Sequence, residues 1–181
     1  MTILTTARLR LEPICLDHYA GLRLLNADPL VARFIGGKPE TPDETLAMIE
    51  RVQGRWQRFG YSWWSIFELG TGEHETGELV GAGCIQHLGH DPANAHEIGW
   101  RLRPDRWGRG YATESARRMA AFAFDELKAP RLAAICDPRN LDSARVMQRL
   151  GMQYRGEEVW NAQAASVYDL CPQAWRASRL A

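Results

Sequence analysis

A short run of glycine, arginine and hydroxyl-bearing residues is where this sequence could bind a phosphorylated molecule. Gly108 and Gly110 flank Arg109 and follow an apolar, strand-like stretch, and a helix-like segment continues to Phe124. Glycine lets backbone amides approach a ligand closely, and the first amides of a helix have no partner within it. With the positive end of the helix dipole, this pattern predicts a phosphate or pyrophosphate site.

Three classes of ligand fit such a site, and the surrounding sequence separates them. A nucleoside triphosphatase needs the run GxxxxGK[ST], which the sequence lacks. A dinucleotide fingerprint needs glycine or alanine where Thr113 stands, and its acidic residue would be Asp137, which lies far beyond Gly110. A dinucleotide-binding oxidoreductase is therefore a distant alternative. The third class is coenzyme A.

Charge and composition limit the partners. The chain has 181 residues, 22 basic and 22 acidic side chains and a formal net charge of zero. This balance gives no general attraction to nucleic acid or to an anionic membrane. Six arginines nevertheless cluster between residues 101 and 118, which predicts a small polyanion as ligand: Arg101, Arg103, Arg106, Arg109, Arg117 and Arg118.

The cysteines predict a reduced protein without a metal. Cys15, Cys84, Cys136 and Cys171 are far apart and form no CxxC pair, so a zinc or redox motif has no support. No apolar run reaches the length of about 18 residues that a membrane helix needs. We expect a cytoplasmic protein.

The order of predicted elements is typical of a single mixed α/β domain. Helices are predicted after Asp17, from Thr41 to Gly60 behind a capping box, after Gly110, and over 141–150. A turn is predicted at 70–72. The predicted strands are 7–13, 61–69, 78–87, 96–102, 131–136, 159–160 and 166–170.

Three blocks in the expected order resemble GNAT acetyltransferases. The loop 107–115, Trp-Gly-Arg-Gly-Tyr-Ala-Thr-Glu-Ser, resembles the acyl-CoA loop of that family in its RimJ/RimL ribosomal-protein N-acetyltransferase form. Glu97-Ile-Gly-Trp100 resembles the splayed strand before that loop, and 140–152 resembles the Asn-x-x-Ser…Leu-Gly-Phe helix. The similarity spans roughly residues 8 to 175. It implies one acyl-CoA N-acyltransferase domain over 1–181, with a mostly antiparallel, splayed sheet of about six to seven strands and about four helices.

The resemblance implies acetyl-CoA as acyl donor and assigns residues to it. Leu102 and Arg103 would offer strand backbone to the pantetheine arm, and the backbone near Trp100 would polarise the thioester carbonyl. Asn140 would bind pantetheine or the acceptor side, although it is equally suited to cap the following helix. The loop residues would surround the pyrophosphate: Gly108, Arg109, Gly110, Tyr111, Ala112 and Thr113.

Two residues are the candidate catalytic groups. Glu97 stands at the family's usual carboxylate position and would accept the proton of the amine, directly or through water. Partial burial would raise its pKa. Many family members have a tyrosine acid where this chain has Met147, which cannot transfer a proton. The RimJ/RimL-like pattern instead places Ser143 near the leaving sulfur, although a serine in the first turn could also bond the helix backbone.

The acceptor is less defined by the sequence. Residues of about 17–59, in two N-terminal helices, would cover the acceptor site, with Phe34, Trp64 and His87 as contacts. Core packing is the expected fate of Trp56 and of at least one of Trp63 and Trp64. Either His87 or His90 could relay a proton, although a solvated loop position is equally open to them. Exposed tryptophans would suit a homodimer.

Together, the residues and the resemblance predict an acetyl-CoA-dependent N-acetyltransferase acting on a primary amine. The amine is a protein or peptide N-terminus or a small molecule. A non-catalytic acyl-CoA-binding module is the alternative.

Overall fold

The computed structural model describes residues 2–70, 76–160 and 162–178. Most of the predicted 70–72 turn therefore lies outside the described residues. Eight strands form one sheet: β1 (Leu4–Thr5), β2 (Leu9–Pro13), β3 (Trp63–Leu69), β4 (Thr76–His87), β5 (His96–Leu102), β6 (Leu132–Cys136), β7 (Gln153–Trp160) and β8 (Gln163–Leu170). The count exceeds the predicted range because the two-residue β1 adds to the outer edge, where it pairs Leu4 with Leu11.

The sheet is mixed, and its order is β1-β2-β3-β4-β5-β6-β8-β7. β1, β2, β3 and β4 pair antiparallel in sequence, as β6 and β7 each do with β8. β5 and β6 are parallel, with the register His96 to Leu132 and Glu97 to Ala133. That ladder is short for strands of seven and five residues, so it ends just after Glu97. The fold class predicted from the sequence is confirmed.

In the described part of the chain, six α-helices accompany the sheet: α1 (Tyr19–Asn26), α2 (Pro29–Ala32), α3 (Pro42–Phe59), α4 (Tyr111–Ala121), α5 (Leu141–Arg149) and α6 (Pro172–Ser178). α3 begins as its sequence predicts, since Thr41 and Glu44 form a reciprocal capping box. It ends at Gly60, whose φ of 76° is left-handed. A π-helical turn, Phe122–Glu126, continues α4 beyond the predicted end at Phe124. No helix among the described residues is both long and apolar enough to cross a bilayer.

The chain divides into two compact units. The first contains Met1–Cys84 and Trp100–Arg118, and the second contains Ile85–Gly99 and Met119–Ala181. Leu9, Leu11 and Trp64 are fully buried in the first unit, and Ile85 and Leu132 are fully buried in the second. The assignment of residues 1–181 to one acyltransferase domain stays a prediction.

Candidate functional site

The loop before α4 presents a row of free backbone amides. Gly108 and Gly110 have φ values of 75° and 81°, which favour glycine. The first helical hydrogen bond runs from the Glu114 amide to the Gly110 carbonyl, at 3.0 Å. Among the hydrogen bonds of the described residues, none has a donor amide between Gly108 and Thr113. Six successive N–H groups are therefore available to an anion.

A side chain at position 108 would enter the space beside these free amides. A Cβ built on Gly108 meets no atom within 4 Å, so the space beside that backbone is open. Open space and free amides together are what a closely bound pyrophosphate requires, and the loop fits the group that the sequence predicts there.

Trp107 connects the loop to the end of β5. Its Nε1 donates to the Leu102 carbonyl at 2.9 Å, and the Arg103 amide donates to Val80 at 2.9 Å. A carbonyl oxygen has two lone pairs, so Leu102 can accept a second hydrogen bond, whereas the Arg103 N–H is already used. At the end of β5, the backbone groups that remain available to bind a pantetheine arm are therefore carbonyls. Trp100, two residues before Leu102, is half-buried.

Arg8, in the bend just before β2, holds the loop in place, and sequence reasoning missed it. Its Nε donates to Glu114 at 2.7 Å and its Nη1 to the Arg109 carbonyl at 3.1 Å, while its guanidinium lies 4.8 Å from the Tyr111 ring centroid. Glu114 accepts further from Thr6 at 2.6 Å. Only the acid in the first turn of α4 hinted at such a clamp, because an arginine on a strand is ordinarily a solvated residue.

Arg8→Met should therefore weaken binding of the acyl donor and leave the rate of the chemical step nearly unchanged. We expect the KM for the acyl-CoA that the family resemblance implies to rise about three- to tenfold with kcat nearly unchanged, because the loop loses its tether but no reacting group. Arg10→Met is the matched control, since Arg10 lies only two residues further along the chain, on β2, and pairs with Glu12 at 2.5 Å. Equal KM values for the two variants in steady-state assays would remove Arg8 from the loop's support.

The arginine-rich segment is less cationic than its sequence suggests. Arg106 pairs with Glu78 at 2.6 Å and with Glu68 at 3.3 Å, and Arg103 pairs with Glu78 at 3.3 Å. Glu68 also accepts a hydrogen bond from the Tyr111 hydroxyl. Since β3 and β4 supply these distant carboxylates, anion binding at the loop rests mainly on backbone amides and not on Arg103 or Arg106.

In the second unit, Glu97 has the environment of a general base. The residue is half-buried, and Gln86 donates its Nε2 hydrogen to Glu97 Oε2 at 2.9 Å. Burial raises the pKa of the Glu97 carboxyl, and the hydrogen bond from Gln86 opposes that rise. Gln86 orients the carboxylate, a role that the sequence did not reveal.

Asn140 and Ser143 lie at the start of α5. Asn140 Oδ1 accepts from the Ser143 amide at 3.1 Å, so Asn140 caps the helix. Burial and the charge of Asp137 raise the pKa of the Cys136 thiol to about 11, and the Ser143 hydroxyl opposes that rise. Cys136 is thus a neutral thiol at neutral pH, and its place beside Ser143 was not predicted. Met147 is buried.

The three predicted acceptor contacts have different environments. Trp64, in the first unit, is 0% exposed, and its Nε1 donates to the Thr2 carbonyl at 2.8 Å. Its ring meets Trp56 edge-on at 5.0 Å, as core packing predicts for this pair. Trp64 therefore offers no surface to a ligand. Phe34 in the same unit is half-buried beneath the guanidinium of Arg33, at 4.9 Å.

His87, in the second unit, has a defined ring orientation. Its Nδ1 lies 3.1 Å from the Asn94 carbonyl, which can only accept, so Nδ1 carries the hydrogen and Nε2 is the basic nitrogen of the neutral ring. His90 is exposed in the following turn. Among the described residues, no three His, Cys, Asp or Glu side chains form a group that could hold a metal ion.

Comparison with known proteins agrees with this geometry. The family model described as "Acetyltransferase (GNAT) domain" matches residues 8–153, which is most of the chain. The protein belongs to the GNAT acetyltransferase family. The match contains β2, the glycine loop, α4 and α5, and so includes every loop and strand residue discussed for the donor.

Individual relatives extend over nearly the whole chain. It is 32% identical over 172 residues to the uncharacterized protein YkkB of Bacillus subtilis (strain 168), covering 93% of this chain and 95% of the relative. It is 28% identical to the FsC-acetyl coenzyme A-N(2)-transacetylase of Aspergillus fumigatus, covering 83% and 65%. The crystal structure of an acetyltransferase from Agrobacterium tumefaciens superposes with a TM-score of 0.78 at 29% identity, covering 94% of each chain. This GNAT protein is an acetyltransferase.

Proposed function

We propose that this GNAT protein transfers the acetyl group of acetyl-CoA directly to a primary amine. The observation that carries the proposal is the row of six unpaired amides from Gly108 to Thr113 at the start of α4. The Aspergillus relative is named for acetyl coenzyme A, and its similarity supports the same donor here. When bound, acetyl-CoA supplies a thioester as the activated acyl group.

We propose that Glu97 accepts the proton that the amine loses during the transfer. An amine attacks a carbonyl only through its lone pair, so a base must accept a proton, directly or through water. The raised pKa of Glu97 brings it closer to neutral pH, where a base is most effective. Gln86 holds Oε2, so the other oxygen remains for the proton.

We propose that Ser143 stabilises the leaving sulfur of coenzyme A and that Asn140 makes a further contact with the acyl donor. Oδ1 of Asn140 caps α5, whereas its Nδ2 makes no hydrogen bond in the described part of the chain and can donate to a ligand. Ser143 has a hydroxyl, which can donate a hydrogen bond to a thiolate. The nearly complete Asn-x-x-Ser…Leu-Gly block also supports assignment to the RimJ/RimL-like branch.

Ser143→Ala should lower kcat about tenfold or more with little change in the KM for acetyl-CoA, since the hydroxyl acts on a charge that develops late. Cys136→Ser is the matched control, because it changes the neighbouring side chain and leaves Ser143 in place. Steady-state thiol release measures both variants. Full turnover by Ser143→Ala would remove Ser143 from the mechanism.

The transfer is direct, without an acyl-enzyme. The thiol nearest to Ser143 is Cys136, and a pKa of about 11 leaves too little thiolate to attack a thioester at neutral pH. The protein's intact mass should stay unchanged on mixing with acetyl-CoA alone, and the acetyl group should appear on the amine once an amine is added. A stoichiometric acetyl-protein that passes its acetyl group to the amine would overturn direct transfer.

The remaining proposals concern the acceptor site, the location of the protein in the cell and its oligomeric state. Phe34 and His87 stay proposed acceptor contacts, and Trp64 is left out because its ring is fully buried. We also propose a cytoplasmic location, a reducing compartment in which the four cysteines would remain thiols. A homodimer stays a prediction.

A further inference from the structure

Arg101 on β5 is a cation that the protein buries without an acidic partner. Its Nε is shielded from solvent and makes no hydrogen bond, and in the described part of the chain no carboxylate lies within ion-pair distance of its guanidinium. Burial lowers the pKa of this guanidinium, although Glu40 and Cys84 favour its charged form. An unpaired buried charge is costly to fold, so its retention indicates a use.

The surroundings hold the guanidinium in a fixed orientation. It stacks on the Trp63 ring at 4.8 Å, and Trp63 lies opposite Cys84 in the register of β3 and β4. Glu40, the acid whose charge acts on Arg101, already accepts hydrogen bonds from two other side chains. Its Oε2 accepts from Asn26 at 2.8 Å and from Thr45 at 3.1 Å. The positive charge of Arg101 is therefore not neutralised by an ion pair among the described residues.

A second cation lies in the same region of the first unit. Arg55 on α3 is half-buried, and its pKa is lowered by burial and by Arg51, while Cys84 raises it. Since Cys84 acts on both Arg55 and Arg101, two arginines approach the same buried thiol.

We propose that Arg101 binds a carboxylate carried by the acceptor amine, with Trp63 holding the guanidinium plane. The planar guanidinium matches a carboxylate through two parallel hydrogen bonds, and stacking on an aromatic ring pre-orients it. The proposal rests on the function proposed above, in which Trp100 marks the position of the thioester carbonyl. Arg101 is the next residue, with its Cα about 3.8 Å further along the strand. A free carboxylate on the acceptor favours an amino acid over a protein N-terminus, because the carboxyl group of an N-terminal residue is held in a peptide bond.

Matched pairs of acceptors test this assignment. Thiol release from acetyl-CoA is measured with free amino acids and their carboxamides, using the wild type, Arg101→Met, Arg101→Lys and Arg58→Met. Arg58 is the matched control, because its guanidinium also lies 4.8 Å from an aromatic centroid, that of Phe59, but is exposed on α3. Calorimetric titration of the same pairs into the enzyme saturated with coenzyme A measures recognition without chemistry.

The wild type and Arg58→Met should prefer the free carboxylate by about 10- to 100-fold in kcat/KM. Arg101→Met should lose that preference and should unfold at a higher temperature in the absence of ligand, because it lacks the unpaired charge. Arg101→Lys should keep only part of the preference. Equal use of both acceptors by the wild type, or an unchanged preference in Arg101→Met, would overturn the proposal.

The two proposals fail differently. If no amine is acetylated, the proposed function is wrong, and calorimetry alone decides on Arg101. Carboxylate-selective binding that Arg101→Met abolishes supports the assignment, and equal binding of both members of each pair contradicts it.

Discussion

Glu97→Gln is expected to lower kcat/KM about 100- to 10,000-fold, because the amine loses the group that accepts its proton. Glutamine has nearly the same shape, and it can still hydrogen-bond Gln86, which holds Oε2 at 2.9 Å in the native protein. Loss of activity would therefore reflect the missing base. Steady-state kinetics with a saturating amine measures the effect.

The pH dependence identifies Glu97 more specifically. Because burial raises the pKa of this carboxyl, the rising limb of kcat/KM should lie above the ordinary glutamate range, and Glu97→Gln should lack that limb. Glu97 binds its proton more tightly in the folded state, so its contribution to stability is present below the unfolded-state pKa and is lost as the pH rises through the folded pKa. The variant should consequently be more stable than wild type at neutral pH.

Glu158→Gln is the matched control for Glu97. Glu158 is a strand glutamate that accepts a hydrogen bond from Trp160 at 3.0 Å, but it is exposed on β7. Its replacement should leave both kcat/KM and the pH profile unchanged. If Glu97→Gln behaved in the same way, Glu97 would have no part in proton transfer.

Gly108→Ala should raise the dissociation constant of acetyl-CoA about 10- to 100-fold, equivalent to one or two hydrogen bonds to a charged group. The new methyl group would enter the open space beside the free amides, where the pyrophosphate has to approach. It would also strain a backbone whose φ is 75°. Calorimetric titration with acetyl-CoA measures the loss.

Gly37→Ala separates ligand binding from backbone strain. Gly37 has a φ of 78°, and a Cβ there also meets no atom within 4 Å, so the folding cost should match that of Gly108→Ala. Only Gly108→Ala should weaken donor binding. Equal dissociation constants for the two variants would show that the loop does not hold the donor.

Local patterns predicted much of the fold. The Thr41–Glu44 capping box and Gly60 define α3, and Gly108 and Gly110 define the glycine loop before α4, because each feature depends on residues that are neighbours in sequence. Asn140 likewise begins α5 as its position suggested.

The sequence did not predict which residues pair when they lie far apart along the chain. Arg8 reaches Glu114 across 106 positions, and β3 and β4 supply the acids that neutralise Arg103 and Arg106. Pairing at such separations depends on the sheet register, which composition and periodicity do not encode. The complete burial of Trp64 has the same origin, since an aromatic pair on a strand can face either side of the sheet.

Release of the coenzyme A thiol from acetyl-CoA, measured across a panel of N-terminal peptides and small amines, tests the central claim most directly. The proposed mechanism predicts release that depends on the amine and saturates with it, accompanied by one acetyl group on the product. Tight binding of acetyl-CoA without amine-dependent release for any member of the panel would contradict it and indicate an acyl-CoA-binding module.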